Sequence, residues 1–244
     1  MTMRTVLRAL SVRLDPEQTR GAFVAASILL RYPDEPLMES LGSLTTLSSQ
    51  LPQNFGKPYV QMCSYLSENS LLESQTQYVA TFDLKRRCCL YLSYYLNGDT
   101  RRRGMALWRF QDAYRSAGQQ VVQGELPDYL PALLEFAATG GERPAIQLMN
   151  EHRAGILVLL EALDELASPY AGIVRAVDSL LPPREDRVIS DAERLVYEGP
   201  PSELVGIDDA EVVEPYGTQS SCESCGATET SVATSSTSAD LARS

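Results

Sequence analysis

The chain has 244 residues, of which 44% are hydrophobic, and a formal net charge of −11 at pH 7. This length allows one domain with a substantial core, and an acidic chain without a basic face argues against nucleic-acid binding as its main activity. No apolar run approaches the roughly 20 residues of a membrane span. Because the N-terminus also lacks the apolar stretch of a signal peptide, we expect a cytoplasmic protein that does not insert into membranes.

The negative charge is concentrated near the C-terminus. Nine acidic residues and one basic residue lie between Glu198 and Ser244, whereas the rest of the chain has 23 and 20. We predict a flexible N-terminus (1–15), an all-helical domain (16–206) and a disordered Ser/Thr/Glu-rich tail (207–244). The CxxC pair Cys222–Cys225 lies in this tail and supplies only two of the four ligands of a structural zinc, so no metal site is expected.

Helical periodicity dominates from about residue 16 to residue 181. Asp15, Pro16 and Gln18 have the residue types and spacing of a capping box with proline at the first helical position, and Pro33 ends that helix. Further helices are predicted over 35–51, 57–69, 71–82, 84–97, 99–118, 128–140, 144–167 and 169–181. Alternating strand patterns are scarce, so we predict an all-α bundle of about eight or nine helices.

Evidence for catalysis is thin. The chain has a single histidine, His152, which leaves little for general base catalysis at neutral pH. No Walker loop, GxGxxG, HExxH or Ser-His-Asp arrangement is present. We therefore predict a protein that is not an enzyme and binds no cofactor of its own.

Two basic clusters are unusual. "DLKRR" (Asp83–Arg87) and "DTRRR" (Asp99–Arg103) each place three cations after an aspartate at a predicted helix start, where the helix dipole disfavours them. The two helix starts could converge on an anionic ligand. Alternatively, carboxylates such as Asp128 and Glu135 bind these cations internally, and we favour this interpretation for most of them, with one or two guanidinium groups left for a ligand.

A family resemblance rests on these residues. "YVATFDLKRRCCLYLSYYLNGDTRRRGMALWRFQDAYRSAG" and the following "ELPDYLPALLEFAA" are similar to the NarJ-type nitrate reductase assembly chaperones, within the TorD/DmsD group of redox-enzyme maturation proteins. "ASILLRYPDEPL" and "EPYG" also fit. The wider group usually has histidine after the aspartate of this second block, whereas this chain has Tyr129 after Asp128, so a role that needs a titratable imidazole is in doubt.

The resemblance implies an all-helical cytoplasmic chaperone without catalytic activity. Such proteins bind the N-terminal segment of the apo catalytic (alpha) subunit of respiratory nitrate reductase. They hold it while its molybdenum (molybdopterin guanine dinucleotide) cofactor is inserted, before the subunit docks at the membrane. Proteins of molybdenum cofactor biosynthesis are further candidate partners.

Aromatic residues, leucines and carboxylates at the predicted helix ends suit a groove for an amphipathic segment. The candidate client-binding residues are Tyr78, Phe82, Asp83, Arg87, Asp99, Arg103, Asp128, Tyr129, Leu130 and Glu135. We expect the arginine clusters to fix the helix ends around Asp99 and Asp128, so that the groove is preformed. Two alternatives stay open: a helical regulatory or scaffold protein that binds a folded partner, and a nucleotide-binding protein that uses the arginine-rich helix starts.

Overall fold

The protein is helical throughout the part that the structure describes. The computed structural model describes residues 14–122 and 124–201. These ranges contain eleven α-helices: α1 Pro16–Leu29, α2 Glu35–Ser49, α3 Gln53–Glu68, α4 Leu71–Tyr78, α5 Leu92–Asn97, α6 Arg101–Ser116, α7 Leu130–Phe136, α8 Glu142–Glu151, α9 Arg153–Glu165, α10 Ala171–Leu180 and α11 Asp186–Glu198. The predicted all-α class is confirmed. Within the same ranges, no helix has both the length and the hydropathy to cross a bilayer.

Local capping explains several helix starts. The backbone N–H of Gln18 donates to the Asp15 carboxylate (2.8 Å), and the Gln18 side chain accepts from the Asp15 N–H, which is the predicted capping box. Ser70 and Glu73 form a second box at the start of α4. Each box provides acceptors for N–H groups that have no partner inside the helix.

Helix α9 lies at the centre of the bundle. Nine consecutive residues, from His152 to Leu160, are buried, and a helix buried on all sides belongs to the interior of a bundle. Helices α5, α10 and α11 pack around it. Gly155 makes the contact with α5 possible, because a Cβ at this position would lie 2.6 Å from the buried ring of Tyr95.

The predicted helix over 84–97 is wrong for its first half. Residues Arg86–Cys88 form a single 3₁₀ turn, the next residues are extended, and only Leu92–Asn97 is α-helical. The hydroxyl of Tyr95 donates to the carbonyls of Arg87 and Cys89 (3.0 and 2.8 Å), which holds this irregular segment in place.

A short antiparallel bridge replaces the missing helical turns. Tyr91 pairs with Tyr129. The N–H of Leu92 donates to the Asp128 carbonyl (3.0 Å), and the N–H of Leu130 donates to the Leu90 carbonyl (2.8 Å). The bridge therefore joins the two sequence blocks on which the family resemblance rests.

Other boundaries also differ from the predictions. The predicted helix over 144–167 begins at Glu142 and is divided at His152 (φ −102°, ψ 14°) into α8 and α9. Helix α3 begins four residues earlier than predicted, and α11 lies beyond the last predicted helix. The predictions for residues 1–13, for the tail 207–244 and for Cys222–Cys225 lie outside the described residues.

Candidate functional site

Two tyrosines from distant segments share a hydrogen bond. The hydroxyl of Tyr78, the last residue of α4, donates to the carbonyl of Leu30 (3.1 Å) and lies 3.0 Å from the hydroxyl of Tyr129, the residue before α7. A phenol can donate only one hydrogen bond. Because the Tyr78 hydroxyl donates to the Leu30 carbonyl, the Tyr129 hydroxyl is the donor in the bond between the two phenols. This chain of bonds ties the ends of α1 and α4 to the start of α7.

An aromatic cluster surrounds this pair. The Tyr78 ring lies 4.7 Å from Phe82 and 5.4 Å from Tyr32, and the Tyr129 ring lies 5.3 Å from Tyr91. A π-helical turn, Val79–Asp83, follows α4 and presents Phe82 to the cluster. The structure thus brings the predicted residues Tyr78, Phe82 and Tyr129 together.

A pocket of about 380 Å³ opens beside Tyr129, and we call it the tyrosine pocket. Its polar lining includes Arg31, Tyr114, Glu125 and Glu135. The hydroxyl of Tyr114 is buried and has no hydrogen-bond partner within the described ranges. A buried hydroxyl without a partner has a free-energy cost, so an occupant that offers it a polar atom would gain affinity.

The phenols in and around this pocket are hydrogen-bond donors. Burial raises the pKa of Tyr129, and burial together with the nearby Glu125 carboxylate raises the pKa of Tyr91 to about 12. Both side chains therefore stay protonated at neutral pH. Two carboxylates, one guanidinium and neutral phenols next to aromatic rings suit a segment that carries apolar and basic side chains.

A second group of predicted residues surrounds Asp128. This carboxylate is fully buried, and its Oδ2 accepts from the backbone N–H and the hydroxyl of Ser93 (3.1 and 2.6 Å). Arg103 reaches from α6, with Nη1 3.0 Å from Asp99 Oδ1 and Nη2 4.0 Å from Asp128 Oδ2. The Arg103 guanidinium also lies 5.9 Å from the Tyr94 ring centroid.

The aspartates at the predicted helix starts, Asp83, Asp99 and Asp128, do not cap helices there. Thr100 precedes the first residue of α6, and Tyr129 precedes that of α7. The Asp128 side chain instead binds the N-terminus of α5, and Asp99 accepts from Arg103. Asp83 ends the π-helical turn and is exposed. Only at Asp128 has a long-range contact replaced the local cap, because Asp99 binds Arg103 within its own segment.

Three other predicted residues lie apart from one another. Arg87 makes a bidentate contact with Glu165 on α9 (2.8 and 3.3 Å) and lies 3.6 Å from Glu161, so the two basic clusters bind different carboxylates. Leu130 is fully buried in the core, whereas Glu135 lines the tyrosine pocket.

Several residues of the pocket were not predicted from the sequence. Arg31, Tyr114 and Glu125 come from three different parts of the chain. Tyr91, whose hydroxyl donates to the lining residue Glu125, falls within the predicted helix over 84–97. The chain has 12 tyrosines, which is the one signal that could have pointed to a tyrosine-lined site.

Within residues 14–122 and 124–201, no three His, Cys, Asp or Glu side chains are grouped as a metal site.

The chain is similar to known proteins over its central part. Residues 48–175 match the family model described as nitrate reductase delta subunit. The chain is 40% identical over 152 residues to the nitrate reductase-like protein NarX of Mycobacterium tuberculosis H37Rv, which covers 62% of this chain and 23% of NarX. It therefore spans about a quarter of the length of that relative.

Two shorter relatives and one solved structure are also similar. The nitrate reductase molybdenum cofactor assembly chaperone NarJ of Escherichia coli K12 is 32% identical over 152 residues (61% of this chain, 64% of NarJ). The protein named "Probable nitrate reductase molybdenum cofactor assembly chaperone NarJ" in Bacillus subtilis 168 is 31% identical over 160 residues (64% and 85%). A redox enzyme maturation protein from Archaeoglobus fulgidus matches 70% of this chain and 96% of its own, with a TM-score of 0.49 and 23% identity.

The family model covers more than half of the chain and includes α4, the bridge between Tyr91 and Tyr129, and the buried Asp128. The chain belongs to the nitrate reductase delta subunit family, and within that family it is similar to the NarJ proteins.

Proposed function

We propose that this chain is a cytoplasmic chaperone for the apo catalytic subunit of nitrate reductase. It binds the N-terminal segment of that subunit in the tyrosine pocket. While bound, it holds the apo subunit in a state that can accept its molybdopterin guanine dinucleotide cofactor, before the subunit docks at the membrane. The chain performs no chemistry itself. The family membership and the relatives named as nitrate reductase assembly chaperones support this role.

The tyrosine pocket is the main reason for placing the binding site of the N-terminal segment here. We call the N-terminal segment of the catalytic subunit the leader. The aromatic wall of the pocket can bury apolar side chains of the leader, and Glu125 and Glu135 can pair with its basic residues. Tyr129 forms part of the wall and is held by its bond to Tyr78. A wall that is rigid before binding loses little entropy when the segment docks.

The arginine clusters support binding of a peptide over binding of a nucleotide. Arg87 is engaged by Glu165, and Arg103 is engaged by Asp99. The two guanidinium groups contact different carboxylates, so these pairs do not form one site in which both clusters could hold a phosphate group. Arg103 also lies 4.0 Å from Asp128, the residue before Tyr129.

Calorimetry with the purified chain and a synthetic peptide of the first 25 or so residues of the catalytic subunit tests the site. We expect saturable binding that weakens at least tenfold in Glu135→Lys, because a like charge then faces the basic residues of the leader. Glu39→Lys is the matched control, since it makes the same charge change on the exposed face of α2. Equal affinity of both variants would refute the site.

The cellular role has a separate test. Deletion of the gene should leave the nitrate reductase subunits at normal abundance but without molybdenum, as measured by metal analysis of the purified enzyme. Molybdenum-replete enzyme from the deletion strain would refute the chaperone role even if the peptide binds.

A further inference from the structure

A second groove, of about 1120 Å³, lies between α6 and α11. It shares no lining residue with the tyrosine pocket. We call it the arginine groove. Small-molecule sites typically have 300–1,000 Å³ and enclose most of their ligand, so a wide groove of this size fits a segment of polypeptide better than a metabolite.

Apolar side chains are exposed in this groove. Met105 and Trp108 on α6 are 68% and 53% exposed, and Trp108 is the only tryptophan of the chain. Exposed large apolar side chains that line a concavity are typical of protein–protein contacts, where tryptophan and methionine are enriched.

Both walls carry arginines with the same spacing. Arg102 and Arg109 lie seven residues apart on α6, and Arg187 and Arg194 lie seven residues apart on α11. Seven residues of helix correspond to two turns and about 10 Å, so each pair lies on one helix face with its members at the two ends of the groove. The apolar side chains Met105 and Val188 lie between them.

The guanidinium groups of these arginines can form ion pairs with additional carboxylates. Arg102 has no ion pair or hydrogen bond within the part of the chain that the structure describes. Arg187 and Arg194 share the single carboxylate of Asp191 (3.5 and 3.1 Å), and Arg109 contacts Glu151 (2.8 Å) in an exposed pair. Exposed pairs of this kind are weak, so an incoming carboxylate can join or replace them.

From this pattern we infer that the arginine groove binds an acidic amphipathic helix of a second protein. The apolar face of that helix lies against Met105 and Trp108, and carboxylates two turns apart pair with the arginines at the two ends. A concave surface favours a rod-shaped segment over a lipid bilayer. Because the two sites are separate, such a partner can bind while the tyrosine pocket holds a leader.

The test uses an 18-residue helical peptide with Leu and Ala on one face and Glu at positions i and i+7, together with a version in which Lys replaces Glu. Trp108 fluorescence reports binding directly. We expect the acidic peptide to shift Trp108 emission to the blue, with an affinity at least tenfold above that of the lysine peptide. Arg102→Glu combined with Arg194→Glu should weaken binding at least tenfold.

Arg115→Glu is the matched control, because Arg115 lies on α6 outside the groove. It should leave the affinity within twofold of the wild type. Failure of the acidic peptide to bind, equal binding of the lysine peptide, or an equal loss in Arg115→Glu would overturn the inference. A blue shift with anionic lipid vesicles but not with the peptide would assign the surface to membranes instead. The Arg102→Glu/Arg194→Glu variant should bind the leader peptide as the wild type does. A loss of binding to the acidic peptide can then be assigned to the arginine groove and not to the tyrosine pocket.

Discussion

The hydroxyl of Tyr129 donates to the hydroxyl of Tyr78 across 3.0 Å, and the hydroxyl of Tyr78 donates in turn to the Leu30 carbonyl. Three segments that are far apart in sequence therefore meet at one phenol. The Tyr129 hydroxyl supplies a donor without a charge that changes near neutral pH.

The shared bond predicts a specific pattern of stabilities. Tyr129→Phe removes one hydrogen bond and should lower the free energy of unfolding by about 1 kcal/mol, whereas Tyr78→Phe removes two and should cost about 2 kcal/mol. The double variant should also cost about 2 kcal/mol, because the bond between the two hydroxyls can be lost only once. Urea denaturation measures all three values, and strict additivity would contradict the bond.

The buried Asp128 should be more important for stability than the exposed Asp99, although both face Arg103. Asp128→Ala removes the acceptor of two Ser93 donors at the start of α5 and should cost about 3 kcal/mol. Asp99→Ala, with 81% of that side chain exposed, should change stability by less than about 0.5 kcal/mol. Thermal unfolding of the two variants compares them, and similar losses would argue against this assignment.

A buried ion pair joins α9 to α10. Arg153 Nε donates to Asp178 Oδ1 (2.8 Å), and the two side chains are 3% and 1% exposed. Asp178→Ala leaves a buried guanidinium without its carboxylate and should cost about 3–5 kcal/mol.

The exposed pair Arg175–Asp164 on the same helices is the control. Asp164→Ala should cost less than about 1 kcal/mol in the same urea titration. If Asp178→Ala lowers the free energy of unfolding no more than Asp164→Ala does, burial does not determine how much the Arg153–Asp178 pair contributes to stability.

His152 should make stability depend on pH. Burial, partly offset by its hydrogen bond to the Leu148 carbonyl, lowers the pKa of His152 below its ordinary value of about 6.5. The unfolded chain therefore binds a proton at higher pH than the folded chain, so this contribution is complete above about pH 6.5 and is lost as the pH falls toward the lowered pKa.

The measurement is the free energy of unfolding between pH 7.5 and 5.5 for the wild type and His152→Gln. We expect the wild type to lose more stability over this range than the variant, since the variant lacks the group that titrates. Parallel curves would mean that other groups cause the pH dependence.

Gly155 allows α9 to approach α5. A Cβ at this position would lie 2.6 Å from the ring of Tyr95, whose hydroxyl is held by two carbonyls and so leaves the ring little room to move. Gly155→Ala should therefore destabilise the protein by about 1–3 kcal/mol despite the better helix propensity of alanine. Gly104→Ala, where a Cβ meets nothing within 4 Å, should be neutral or stabilising, and calorimetric melting compares the two.

Local sequence signals predicted most of the helices. The capping box at Asp15 and Gln18, the proline at position 16 and the long apolar stretches needed no partner elsewhere in the chain, because their interactions lie within a few residues. The division of the predicted helix at His152 and the existence of α11 were not predicted, since both depend on packing around α9.

What the sequence by itself determined is the all-helical class, the helix starts with local caps, and the two blocks that identify the family. The tertiary structure decided how those blocks are joined. Residues 84–91 have a helical pattern, yet the Tyr95 hydroxyl and the bridge to Tyr129 provide hydrogen-bond partners that hold an irregular backbone. This long-range pairing, which no local spacing encodes, competes successfully with helix propensity and holds Tyr129, a residue of the tyrosine pocket.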